Sequence, residues 1–421
     1  MNISFLRSRF LRQAATLLVG TGMAQLIPLL ASPLLARLYD AQAFGTFGLF
    51  YSICSTASVL ASGRYELAVL LPKSDQGAYN LVRVALLLAV GISAALVVTA
   101  LFFREPLAAQ LGEAALAPWL PWVSVGVMTT AGYQAFNYWM NRTDQYGWMA
   151  STRTLRSLVQ AGGSIGLAMA LGGAGGLVWG WLAGQVVGFL VLGIHFWRTT
   201  AALRACSTCA DVKKMAARYI RFPLYSVPAD TLNSIIAQLP IWILTIHFST
   251  SVTGQVFFAQ RILAAPLGMI GAAVGDVFKQ RASLAFIEQG SSLVLWKKTL
   301  WGLVALAVPL GLVVVLGGPW LFATLFGDEW RPAGEYARLL SPFLMLSLIA
   351  NPLSRILYVA EKQNVDLWWQ IALFIVTFGA LWLGSRRGDP FDAVLFYALA
   401  YSGMYLVYLV LSYRAARGSS V

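Results

Sequence analysis

The chain has 421 residues, 58% of them hydrophobic and only 11% charged, with 30 Lys and Arg against 17 Asp and Glu for a formal net charge of +13. That balance excludes an ordinary soluble domain and fits a chain whose solvent is lipid. With 2 His and 3 Cys, hydrolytic or metal-centred chemistry has few residues to draw on.

A hydrocarbon core of roughly 30 Å is crossed by about twenty apolar residues in a helix. Segmented on that length, the sequence predicts an all-α polytopic membrane protein with twelve transmembrane helices, near 14–36, 44–71, 81–103, 118–140, 155–172, 176–197, 222–247, 254–282, 294–316, 333–360, 365–384 and 392–413. The first apolar stretch outruns a secretory h-region and leads through Arg37 into a second span, so it reads as a retained helix. It carries Pro28 and Pro33 and a polar stripe of Thr21, Gln25 and Ser32.

The second span ends in "RYELAVLLPK" and holds Arg64 and Glu66. Residues two apart on a continuous helix point to nearly opposite faces, so Glu66 is not expected to neutralise Arg64. Each then needs a partner elsewhere or a wet cavity. Span four adds Gln134, Asn137 and Asn141 on one face. "GGAGG" at 172–176 is a tight turn between spans five and six; no strand precedes it, which argues against a phosphate loop. Gly180, Gly184 and Gly188 form a small-residue packing face, and Trp119, Trp122, Trp148, Trp197, Trp296, Trp320 and Trp330 fall where interface anchors should.

The long polar connection from Trp197 to Arg221 divides the spans six and six: an N-lobe at 1–200, a cytoplasmic linker at 201–220 and a C-lobe at 221–421. Any pseudo-symmetry between such halves has its axis along the membrane normal. Cys206 and Cys209 make a lone CxxC, short of the four ligands a zinc site needs, and read as reduced thiols. Span seven contains Pro223, Pro228 and Pro240 and the stripe Asp230, Asn233, Ser234, Gln238, with His247 as an interfacial residue at its outer end. Span eight holds Arg261; Asp276 and Lys279 read as a local i, i+3 pair, and Arg355 as a snorkelling end residue.

Most Lys and Arg fall on one side of this layout, including Arg7, Arg9, Arg12, Arg142, Arg153, Arg156, Lys213, Lys214 and Arg218, whereas Arg37, Arg104, Arg331, Arg386 and Arg387 fall on the other. Cytoplasmic loops retain basic residues, which puts both termini inside. The positive charge is read as this topology signal plus contact with anionic membrane lipids, not as a nucleic-acid surface.

An arginine at a helix centre costs roughly 2.5 to 3.5 kcal/mol on insertion scales, so Arg64 and Arg261 call for compensation. Interhelical hydrogen bonding explains any one polar stripe. Three stripes and two buried arginines point to a hydrated cavity, with cations at two depths as steps for an anion. No GxxxxGK[ST] occurs, so no nucleotide motor is encoded.

Several stretches, "GTGMAQLIPLLASPLLARLYDAQAFGTFGLF" leading into "RYELAVLLPK", then "FPLYSVPADTLNSIIAQLP", "GQVFFAQRILAAPLGMIGAAVGDVFKQRAS" and "LFGDEWRPAGEYARLLSPF" followed by "NPLSR", resemble the Wzx-type polysaccharide flippases. Their superfamily also holds MATE-type multidrug exporters and MurJ-like lipid II flippases. The resemblance implies two six-helix lobes around a central cationic cavity, rocking in alternating access in the bacterial inner membrane. The implied substrate is an undecaprenyl-pyrophosphate-linked oligosaccharide such as an O-antigen repeat unit, with a polysaccharide polymerase and a chain-length regulator as partners. It carries a substrate role onto Arg64, Arg261 and Arg37, and, beside the stripe residues Gln25, Asn137 and Gln238, onto Asn233. Glu66 and Asp230 are candidates for proton coupling or for permanent charge pairing; no cofactor is implied beyond a coupling proton or sodium ion. The rival readings are a MATE-type exporter, which favours acidic and aromatic linings, a membrane-embedded glycosyltransferase or polymerase, and a non-transporting scaffold.

Overall fold

The computed structural model describes residues 3–360 and 362–418, with side chains outside that description at 3–19, 287 and 289. The expected basic cluster Arg7, Arg9 and Arg12 therefore lies outside the described side chains. The described chain is all-helical and divides into two compact units, Met1–Gln238 and Leu239–Val421.

The first unit contains α1 (Ile3–Leu38), α2 (Ala41–Ala61), α3 (Tyr65–Ala68), α4 (Asp75–Gln110), α5 (Leu120–Arg142), α6 (Tyr146–Gly166), α7 (Gly175–Thr199), α8 (Ala201–Ala205), α9 (Cys209–Arg218) and the start of α10 (Val227–His247). Helix starts are fixed by side-chain caps: Asp40 accepts from Ala43 N at 2.7 Å, and Ser74 from Gly77 N at 3.2 Å. A capping box between Thr208 and Asp211 opens α9.

The expected second span is not one helix. Gly63 and Arg64 both take left-handed backbone angles, φ +58° and φ 57°, so α2 stops and α3 restarts in a new direction. Gly63 enters that region freely, whereas Arg64 is held there at a cost of about 1–2 kcal/mol.

α6 and α7 approach at backbone distance. A Cβ built on Gly163 would lie 3.1 Å from Gly180 Cα, and one on Gly184 would lie 2.8 Å from Arg156 O. The small-residue face read from the sequence is this contact. Its start differs from expectation: α6 begins at Tyr146, nine residues before the predicted 155, which draws Arg153 into the helix and sets Arg156 near its middle.

Residues 201–220 are docked, not free. Gln76 Nε2 donates to Leu203 O at 2.9 Å, Tyr65 Oη to Ala216 O at 3.0 Å, and Ser207 bridges Asn80 and Arg83 at 2.5 Å each. Nearby, Arg142 donates to Asp75 at 3.0 Å and to Val69 O at 3.1 Å. Between α9 and α10, residues 222–226 form a π-turn containing Pro223, where the missing amide loosens the helical ladder.

The second unit contains the rest of α10, then α11 (Thr250–Gln289), α12 (Leu293–Phe326), α13 (Arg331–Ser354), α14 (Ile356–Val359), α15 (Gln363–Ser385) and α16 (Pro390–Ala416). Two local expectations fail here. Asp276 pairs with Arg355, not with Lys279, because α11 and α14 pack together and bring the guanidinium across. Trp296 and Trp330 are buried, the first donating to Ser412 Oγ at 3.2 Å and the second packed 4.2 Å from the Phe258 ring, so neither is an interface anchor. Trp197 and Trp320, by contrast, are exposed as expected.

Asp366 on α15 is the notable buried polar group of this unit, 6% exposed. Its carboxylate accepts from Tyr358 Oη at 3.1 Å, from Gln370 Nε2 at 2.9 Å and from Tyr408 Oη. Asp366→Ala leaves three donors without their acceptor and should lower stability by about 2 kcal/mol. Thermal unfolding in detergent reads this, and an unchanged midpoint would contradict it.

Among the described residues, ten helical segments are long and apolar enough to cross a membrane, against the twelve expected. α6 is outside the ten because Arg153, Arg156, Gln160 and several hydroxyls interrupt its apolar run.

Candidate functional site: a polar cavity system in the first unit

The break at Ser62–Arg64 builds the first part of the site. Ser62 Oγ accepts from Arg64 N at 3.4 Å, and the left-handed turn carries the arginine stem back across the start of α3. Arg64 Nη1 thereby reaches Glu66 Oε1 at 3.3 Å, and Nε lies 2.8 Å from Asp230 Oδ2. The expectation that Glu66 cannot neutralise Arg64 is thus corrected: it assumed a continuous helix, and the two residues belong to a turn. Glu66 is 1% exposed, and its second oxygen has no hydrogen-bond partner.

α10 is held to this region a second time, through a 3.2 Å hydrogen bond between the hydroxyls of Thr56 and Ser234. The polar stripe on α10 is therefore put to two uses within the first unit. Asp230 and Ser234 make contacts, while Asn233 is exposed and Gln238 half-buried.

Arg64 and Glu66 open onto a cavity of about 310 Å³, bordered by Ser55 and Ser58 of α2, Ser62 at its C-terminal cap, Gln134 of α5 and Gln185 of α7. The three serines follow one another at helical spacing along one face. Tyr51 and Trp181, edge to face at 5.8 Å, supply the aromatic wall. A second cavity of about 330 Å³ is bordered by Thr21, Gln25, Tyr133, Asn137 and Arg153. Gln134 and Arg156 border both, so the two adjoin.

Buried polar atoms without partners gather here: Glu66 Oε2, Thr130 Oγ1 and Gln185 Oε1 around the first cavity, Gln25 Oε1 and Asn137 Oδ1 around the second. An unmet buried polar group costs about 1–3 kcal/mol, so their concentration on cavity walls marks a lining built to meet water or a polar guest.

Arg153 and Arg156, which the sequence reads as topology charges, line the second cavity. Arg153 Nη1 donates to Thr21 Oγ1 at 2.7 Å, and the Arg156 guanidinium sits 4.5 Å over the Tyr133 ring. The signal that would have found them is the amphipathic spacing of Arg153, Arg156, Ser157 and Gln160 on one face of α6. The apolar run that follows pulled the predicted span toward its far end.

The other expected site residues are not among those lining these cavities. Arg37 is exposed near the end of α1, and Arg261 is half-buried on α11 in the second unit. No group of three or more His, Cys, Asp or Glu suited to a metal ion occurs among the described residues.

The profile of the polysaccharide biosynthesis protein family matches residues 34–335, which carry the α2–α3 break, the first cavity, the second cavity apart from its α1 wall, and Arg261. The chain belongs to that family. No curated protein matches it in sequence. Among solved structures, the fold of this family member is similar to an inward-facing MATE multidrug resistance transporter of the MOP superfamily, at 15% identity over 94% of this chain and 93% of that one, with a TM-score of 0.67. It is similar to the lipid II flippase MurJ in an inward closed conformation, at 12% identity over 94% and 87%, with a TM-score of 0.75. It also resembles an outward-facing MATE transporter, at 15% identity over 96% and 94%, with a TM-score of 0.64. The family assignment and the ten helices long and apolar enough to cross a membrane make this a multi-pass membrane protein, with a fold similar to that of MATE and MurJ transporters.

Proposed function

We propose that the protein is a flippase that carries an undecaprenyl-pyrophosphate-linked oligosaccharide, such as an O-antigen repeat unit, across the bacterial inner membrane by alternating access. The observation that carries this reading is the arginine-bearing, hydroxyl- and amide-lined cavity system in a polysaccharide biosynthesis protein. A diphosphate cannot enter hydrocarbon unaided, because desolvating its charges costs many kcal/mol. Guanidinium groups offset that cost by forking onto phosphate oxygens while staying charged. The polyprenyl tail stays in the bilayer and only the head group travels.

On this reading Arg64, Arg261 and Arg37 are cationic contacts along the route, and Gln25, Asn137, Asn233 and Gln238 meet sugar hydroxyls. Glu66 and Asp230 hold Arg64 until an anion replaces them, or carry a coupling proton. Six helices at 1–200 and six at 221–421 would form the two lobes, with both termini cytoplasmic. A polymerase and a chain-length regulator would receive the product.

Cells lacking the protein should accumulate the lipid-linked glycan on the inner leaflet. Arg64→Ala and Arg261→Ala, present at normal protein level, should each fail to clear it; full clearance by both would refute the reading. Flipping in vesicles with and without a proton or sodium gradient tests the coupling. A second reading, a MATE-type cation exporter, draws on the carboxylates Glu66 and Asp230 and the aromatic pair Tyr51 and Trp181. It predicts gradient-driven export of a cationic dye and no glycan accumulation.

A further inference from the structure

Not all the arginines of the first unit are in the same electrostatic position. Arg64 faces two carboxylates, Glu66 and Asp230, and is fully compensated. Arg142 has Asp75. Arg153 and Arg156 have neither: among the described residues no Asp or Glu pairs with them, and the groups facing them, Thr21, Tyr133 and Tyr51, are neutral. They stand three apart on one face of α6 and border the same cavity. Like charges at that spacing repel, so the pair weakens α6 unless something negative lies between them.

The packing keeps the pair in place at a further cost. α7 carries glycine at 188, where a Cβ would sit 2.5 Å from Arg156 Cδ and 2.9 Å from its Cγ. That glycine clears a lane for the Arg156 stem to run along α7 and lay its guanidinium on Tyr133. Nothing in helix packing alone needs an arginine there.

We propose that Arg153 and Arg156 form the oxyanion site of this protein, taking the diphosphate of the substrate, with Gly188 as the residue that positions Arg156. This deepens the flippase reading and rests on it for the identity of the substrate, but not for the existence of the site. Each guanidinium can fork two N–H groups onto phosphate oxygens. Thr21, Ser157 and Tyr133 offer hydroxyls around them, and the amides of Gln25, Gln134 and Asn137 continue the cavity toward attached sugars. Arg64, already neutralised, comes later in the route.

The test uses the full chain in nanodiscs of zwitterionic lipid, titrated with inorganic pyrophosphate by calorimetry. The wild type should bind saturably. Arg156→Gln should bind at least tenfold more weakly, Arg156→Lys less so, and Gly188→Ala several-fold more weakly although no charge is lost. Lys213→Gln, an exposed charge on α9, should bind as the wild type does. Matched unfolding midpoints establish that each variant is folded. Displacement of pyrophosphate by farnesyl diphosphate but not by phosphatidylglycerol would support a diphosphate site; equal displacement by phosphatidylglycerol would overturn it in favour of a lipid headgroup. Absence of wild-type binding, or unchanged binding in Arg156→Gln, would also overturn it. The flippase reading fails separately: pyrophosphate binding that tracks Arg156, in cells that export glycan normally without the protein, would leave the site standing and remove the function.

Discussion

Arg64→Ala should destabilise the first unit by about 3 kcal/mol, and adding Glu66→Gln should return most of that loss without returning transport. The reasoning starts from the charge count of the cluster, one cation against two carboxylates. Glu66 is 1% exposed and Asp230 37% exposed, so water answers for Asp230 when the arginine goes but not for Glu66. A buried carboxylate stripped of its cation is among the larger single-residue penalties known in proteins. Neutralising it with glutamine keeps the shape and removes the charge. Unfolding midpoints of the purified single and double variants, set beside glycan accumulation in cells, separate the two roles of Arg64. A double variant no more stable than the single would show that the cluster is not an electrostatic unit, and one that restored transport would remove Arg64 from the route.

Gly180→Val carries the second large effect. A Cβ at this position would meet Ser164 N at 2.5 Å and Gln160 O at 2.9 Å, and these are backbone atoms that no rotamer change moves aside. The branched side chain must separate α6 from α7, at about 3 kcal/mol or more. Because Arg156 stands one turn before Gln160 on the same helix and borders both cavities, the same separation should weaken anion binding even in the fraction that remains folded. Detergent unfolding and pyrophosphate titration read the two consequences independently. A wild-type midpoint for Gly180→Val would mean that the helices have slack the close glycine contacts do not suggest.

Much of the architecture was legible because lipid imposes a long apolar period on every crossing helix, and the small residues at 180, 184 and 188 announced their contact directly. The legible part of the site was its type: Arg64 and Glu66 stood out as charges in a greasy stretch, and Gln25 and Asn137 as amides on apolar helices. What stayed hidden depended on backbone geometry. The pairing of Arg64 with Glu66 needs two successive left-handed residues, and a lone Gly63 before an arginine does not announce that the second will follow. Arg153 and Arg156 were concealed by the rule that served best elsewhere, since basic residues near a span end are ordinarily loop residues. Asp276 and Arg355, 79 positions apart, meet only because two helices cross. No spacing within one segment encodes such a meeting.

The polar character of α6 also bears on how the chain is made. A helix with two arginines enters the bilayer reluctantly as an isolated segment, each charge adding roughly 2.5 to 3.5 kcal/mol near the centre. The short glycine-rich turn delivers α7 at once, and α7 presents the apolar bulk and the glycine face that α6 lacks. The translocon is therefore best served by receiving the two as a hairpin. A nascent chain arrested just after Gly166 should leave α6 outside the membrane, and one arrested after Thr199 should bring it in, which glycosylation tags placed in the turn would register.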